Sequence, residues 1–137
     1  MTVPLTPRMK NWIEKFGVHA AVATRDRLPV VLVSYGCEVE SDTVKIPLSR
    51  AQIGQVKDLF AEPPLVALGP GQLGSVRAPY QFKGKGALQN NNLVVKVSEI
   101  YCTRPGAEAG LRLDVLGYEK MKGFEEERWK DLKPPRA

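Results

Sequence analysis

"LVALGPGQLGSVRAPYQFKGKG", residues 65–86, admits two readings, and the choice between them decides the fold. Gly69-Pro70-Gly71-Gln72-Leu73-Gly74 has the G-x-G-x-x-G spacing of a dinucleotide-binding loop and follows an apolar run. Such a loop needs a helix directly after the glycines, because the pyrophosphate rests on that helix's free N–H groups. Here Pro79 falls five residues beyond Gly74. The segment then alternates, with Tyr80 and Phe82 on one face and Gln81 and Lys83 on the other. No acidic residue stands where a second parallel strand would end, so the spacing alone carries little. The stretch reads as the connection between two antiparallel strands. Gly84 and Gly86, two apart on one strand face, suit either a sharp bend or the close approach of a flat ligand.

Upstream, "LTPRMKNWIEKFG" (5–17) carries a helix signature. Thr6 is placed to cap, Pro7 suits the first helical position, and Met9, Trp12, Ile13 and Phe16 share a face that Gly17 ends. "VHAAVAT" (18–24) reads as a buried strand and 25–27 as its turn. "LPVVLVSYGCEVE" (28–40) reads as one long β-branched strand, and "TVKIPLS" (43–49) turns Val44, Ile46 and Leu48 inward. These three strands are expected to form an antiparallel meander. In "SRAQIGQVKDLFAEPP" (49–64), Ser49 and Gln52 form an S-x-x-Q capping box, and Pro63-Pro64 ends the helix. "LVALG" (65–69), "PYQFKGKGALQ" (79–89) and "LVVKVSEIYCTR" (93–104) supply three more strands, the last two joined at Asn90-Asn91-Asn92. A loop is expected over 106–110. In the tail, Met121, Phe124, Trp129 and Leu132 share a face of a last helix, and "KPPRA" is expected to fray. Six strands, one helix after the third and short turns argue for a small antiparallel barrel, closed or partly open.

The 137 residues suffice for one domain, 1–137, with 114–137 as a helical extension. A 43% hydrophobic and 26% charged composition excludes a disordered chain. The net charge of +5 fits an anionic ligand, but the basic residues interleave with acids along the chain, so nucleic acid is not an expected partner. Cys37 and Cys102 lie in separate apolar segments, and His19 is the one histidine, which leaves no zinc spacing and no expected metal. Buried thiols in a reducing cytoplasm are the expectation. No apolar leader core or run of membrane-spanning length is present, so no membrane association is expected.

Nucleophilic catalysis finds no support. Either cysteine needs a base, and His19 sits in an apolar strand where a packed core histidine is expected. Glu38 and Glu40 share a strand face beside a turn and read as solvated. The catalytic residues are therefore unknown, and a bound cofactor would have to carry any reaction. The best anion site is the strand-to-helix junction 47–52, where Ser49, Arg50, Gln52 and Gln55 surround a helix start. The same residues also suit an ordinary cap that satisfies only its own backbone.

The order of these elements, with "EPPLVAL" (62–68), "YQFKGKG" (80–86) and "VSEIYCTRPGAEAGLRL" (97–113), resembles the FMN-binding split-barrel family of pyridoxamine-phosphate-oxidase-like proteins and small flavin electron carriers. The resemblance spans roughly residues 5–113 through several loose motifs. It implies a mainly β, six-stranded, Greek-key-like antiparallel split barrel with flanking terminal helices. It also implies a homodimer with FMN at the subunit interface, acting in electron transfer or flavin-dependent oxidation-reduction. By position it places Val33, Ser34 and Tyr35 beside the isoalloxazine and Pro47, Leu48 and Ser49 at the ring or ribityl chain. Arg50, Gln52 and Gln55 then face the phosphate, and Lys83 adds charge. Gly54 and Gln55 stand where many relatives carry lysine-threonine, so the phosphate charge would fall to Arg50, Lys83 or a basic residue such as Arg77 from a partner subunit. The alternative is a non-catalytic barrel that binds another small anion or a protein.

Overall fold

The computed structural model describes residues 1–71 and 78–129. Its elements are helix α1 (Pro7–Phe16), strands β1 (Val18–Ala23), β2 (Val30–Ser34), β3 (Glu38–Glu40) and β4 (Thr43–Pro47), and helix α2 (Arg50–Val56). A 3₁₀ turn (Lys57–Phe60) follows, then β5 (Leu65–Pro70), β6 (Tyr80–Gln89), β7 (Asn92–Cys102), a second 3₁₀ turn (Asp114–Leu116) and helix α3 (Tyr118–Arg128). The seven strands form one antiparallel sheet in the order β2-β1-β5-β6-β7-β4-β3.

That order requires curvature. β2 and β3 lie at opposite edges of the sheet, yet only residues 35–37 join them. Laid flat, edge strands six spacings apart would stand about 29 Å from each other. The short link reaches about 14 Å at most. The sheet is therefore curled into a half-barrel whose two edges approach at Ser34–Glu38.

The expected single strand over 28–40 is thus two strands, and the strand count is seven rather than six. Gly36, at φ +76, breaks the run, a conformation open to glycine at little cost. The expected three-strand meander is also corrected. β1 pairs with β2, but β4 pairs with β3 and β7, so the chain crosses from one sheet edge to the other at the corner.

Residues 65–70 form a strand, and β5 pairs with β6 antiparallel, as the alternation of Tyr80 to Lys83 implied. Gln72, Leu73, Gly74 and Arg77 lie outside the described residues, as do Leu132 and the 133–137 tail. Of the two readings of Gly84 and Gly86, packing accounts for both. Gly84 sits where the β6–β7 register shifts, and a Cβ there would stand 1.9 Å from the Lys96 carbonyl oxygen. The space beside Gly86 is filled by Val66, Leu93 and the Phe60 ring. Asn90 and Asn91 both take positive φ, the signature of a tight I′ hairpin between β6 and β7.

The concave side holds the core. Val18, Ala20, Val22, Val66, Leu68, Phe82, Val95 and Ile100 are buried there, and Val56, Leu59 and Phe60 of the α2 segment pack against them. α1 is capped by Thr6, ends at Gly17 and buries Met9, Trp12 and Ile13. α3 buries Met121 and Glu125.

Candidate ligand site at the sheet seam

β4 delivers the chain to α2 with Val44 and Ile46 inward and Pro47 outward. Ser49 is extended at φ −73 and ψ 164, and its hydroxyl accepts from the Gln52 N–H at 3.1 Å. The Gln52 carbonyl oxygen accepts from the Ser49 N–H at 2.9 Å, which completes the expected capping box. The remaining half of the Gln52 amide reaches across the seam and donates to the Val33 carbonyl at 2.8 Å. Ser34 hydroxyl donates to the Pro47 carbonyl. The fold thus brings Val33, Ser34, Pro47, Ser49 and Gln52 together at the place where β2 meets the β4–α2 junction.

Other predicted residues border this cluster. Leu48 is buried beneath it, and Tyr35 is exposed at the corner just beyond Ser34. Arg50 and Gln55 are exposed on α2, and Arg50 forms no salt bridge among the described residues. Lys83 lies apart within this chain. It pairs with Ala67, which pairs with Ala21, which pairs with Val31, so it stands three strands in from the β2 edge. That is about 14 Å of sheet. Its ammonium sits 4.7 Å from the centre of the Tyr101 ring, next to a network in which Tyr101 donates to Glu99 and Arg112 holds Asp114.

His19 does not point into the core. Burial alternates along β1, with Val18, Ala20 and Val22 inside, so His19 lies half-buried on the outer face. Its Nδ1 is 3.0 Å from the Gly71 carbonyl oxygen, and a carbonyl only accepts, so Nδ1 carries the proton. The ring lies over Gly69, where a Cβ would stand 2.2 Å from Nε2. Counting by twos along "VHAAVA" would have placed His19 outward; its apolar neighbours obscured that signal.

No side chain here is primed as a nucleophile. Burial pushes the Cys37 thiol up to about 11 and raises Cys102 as well, so both stay protonated near neutrality. Glu38 and Glu40 are exposed. Among the described residues no three His, Cys, Asp or Glu side chains gather as a metal site. No helix among them is long and apolar enough to cross a membrane. A cleft of about 670 Å³ is lined by residues 23–27, 58–59, 61–65 and Lys85 and carries both basic (Arg25, Arg27, Lys85) and acidic (Asp26, Asp58, Glu62) side chains.

A phosphate monoester needs donors and positive charge. At the seam the Ser49 hydroxyl oxygen accepts from the Gln52 N–H, which leaves its O–H to donate, and both halves of the Gln52 amide are engaged by the chain itself. The Arg50 guanidinium, the Gln55 amide and the first-turn N–H groups left over by the cap remain. This set fits a single anionic group, with Arg50 as its cation. No family model, curated protein or solved structure matches this chain.

Proposed function

We propose that the chain is a split-barrel flavoprotein that binds FMN at the seam and acts in electron transfer or flavin-dependent oxidation-reduction. One observation carries the reading. The curled sheet joins Val33 and Ser34 to a capped helix start at the corner where its edges approach, and Arg50 and Gln55 stand exposed beside it. The phosphate would lie against Arg50, Gln55 and the first turn of α2, and the ring against Val33, Ser34 and Tyr35. When bound, the flavin supplies electron acceptance and release, while the chain contributes position and electrostatics.

A second copy of the chain is the proposed cover for the outer face. Val31, Ala21 and Ala67 line up across three strands there, and Leu28, Val31 and Leu65 are exposed at 87%, 54% and 44%. Side chains that flat and small allow close approach. Such a homodimer would let Lys83 serve the partner's seam.

The closed capping box favours a second reading, a non-catalytic barrel that binds a different small anion or a protein. Fluorescence titration of FMN into the protein and into the S49A/R50E double variant separates the two. The flavin reading expects binding that the double variant loses with the fold intact. Equal affinity in both proteins removes the phosphate assignment.

A further inference from the structure

The outer face carries one group whose orientation is fixed and which the fold itself leaves incompletely used. His19 is the register partner of Val33 on β2 and of Gly69 on β5, so its side chain shares a face with the strand edge at the seam. Paired residues on adjacent strands stand about 5 Å apart. From there the His19 ring leans over Gly69 of β5, so a planar ligand lying against Val33 reaches the imidazole by extending across β1.

Two features hold that ring in place. Gly71 ties down Nδ1 through its carbonyl, and Gly71 is itself anchored by its N–H to the Gly17 carbonyl at 2.6 Å. Gly69 has no side chain to displace the ring from the sheet. The tautomer is thereby set, with Nδ1 protonated and Nε2 carrying the lone pair in the neutral form. Nε2 has no hydrogen-bond partner among the described residues, whereas the polar groups at the seam are mostly paired. The neighbours on this face, Val33, Ala21 and Ala67, have no polar side chain to offer it.

We infer that His19 is a ligand-contacting residue of this face, and that Nε2 hydrogen-bonds the polar edge of the bound flavin ring. The inference rests on the FMN reading and deepens it. It gives the ring a polar contact on β1 in addition to the β2 backbone.

Because the chain has a single histidine, the wild-type protein reports on it directly. In the full chain labelled with ¹³C,¹⁵N-histidine, FMN is titrated while flavin fluorescence and the imidazole resonances are followed together. The expected result is fluorescence quenching with a matching shift of the His19 Cε1–H and Nε2 signals. H19F, which keeps a ring but removes the nitrogen, is expected to weaken FMN binding about fivefold to tenfold. Quenching at saturation with the His19 signals unmoved overturns the inference and leaves the FMN reading standing. No quenching at all defeats the FMN reading and takes this inference with it.

Discussion

Two junctions in this molecule join elements far apart in sequence, and they do so under opposite conditions of solvent. At the seam, Gln52 and Ser34 bond to backbone carbonyls while Ser49, Arg50 and Gln55 remain open to water. At the other junction, α3 lays Glu125 into the interior, where its carboxylate accepts from Thr6 at 2.9 Å and from the Tyr80 hydroxyl. Glu125 is 3% exposed, Thr6 0% and Tyr80 2%. Trp129 packs edge-on against Tyr80 and Phe124, and Arg8 donates to the Trp129 carbonyl. Where water is excluded, an unpaired polar group is costly. Here Thr6 and Tyr80 both pair with Glu125, while the indole N–H groups of Trp12 and Trp129 are buried without a hydrogen-bond partner among the described residues. Where water reaches, donors can exchange solvent for a ligand. The buried clasp is accordingly a fastening, whereas the wet seam leaves Arg50 and Gln55 exposed as donors.

Breaking the clasp should have the largest effect. E125A leaves two buried hydroxyls without their acceptor and opens a void, for an expected loss of about 2–4 kcal/mol in urea unfolding. FMN affinity of the folded variant should be unchanged. A comparable loss of flavin affinity would show that the two junctions are not separate.

The clasp also predicts a pH dependence of definite sign. Burial raises the Glu125 carboxyl above its usual range, and the hydrogen bonds from Tyr80 and Thr6 offset this only in part. A carboxyl raised on folding stabilises the protein most while it is protonated, below its unfolded value. Part of that stability is lost as pH rises through the folded value. E125Q should lack this loss, so the stability difference between the two proteins shifts in favour of E125Q across that window. Unfolding curves taken from pH 4 upward check it, and parallel pH profiles would contradict it. Asp114 contributes with the opposite sign. Burial pushes it up, but hydrogen bonds from Arg112 and the Ile100 N–H outweigh burial and hold it low.

Smaller effects are expected at the seam. S49A removes a helix cap and should cost about 1 kcal/mol. R50E touches no partner among the described residues and should change stability by less than about 0.5 kcal/mol. It should nonetheless weaken FMN binding about tenfold or more through loss of the one cation at that helix start. Unfolding and fluorescence titrations of the same two variants separate these roles.

The local signals in the sequence were strong where a few neighbouring residues decide the structure. Thr6-Pro7 and Ser49-x-x-Gln52 announce both helix starts, and the alternation from Tyr80 to Lys83 identifies a strand rather than a phosphate-binding helix. What stayed hidden depends on distant partners. The run 28–40 is β-branched almost throughout, and only the pairing of its halves with opposite sheet edges shows that Gly36 is a corner. Glu125 lies among Glu126, Glu127 and Arg128, and nothing in that local charge marks it as buried. Its spacing was the available clue, since Met121, Glu125 and Trp129 lie four apart on one helical stripe. The seam joins Val33, Ser34, Pro47, Ser49 and Gln52 across the sheet, and no local signal in the sequence shows that Gln52 donates to the Val33 carbonyl.

The most direct test of the wet seam as a flavin site is the visible absorption spectrum of freshly purified protein, followed by FMN titration of any colourless sample. The account predicts a flavin spectrum, or one restored by added FMN, with the cofactor released as FMN on denaturation. A colourless protein that leaves added FMN unquenched would contradict it.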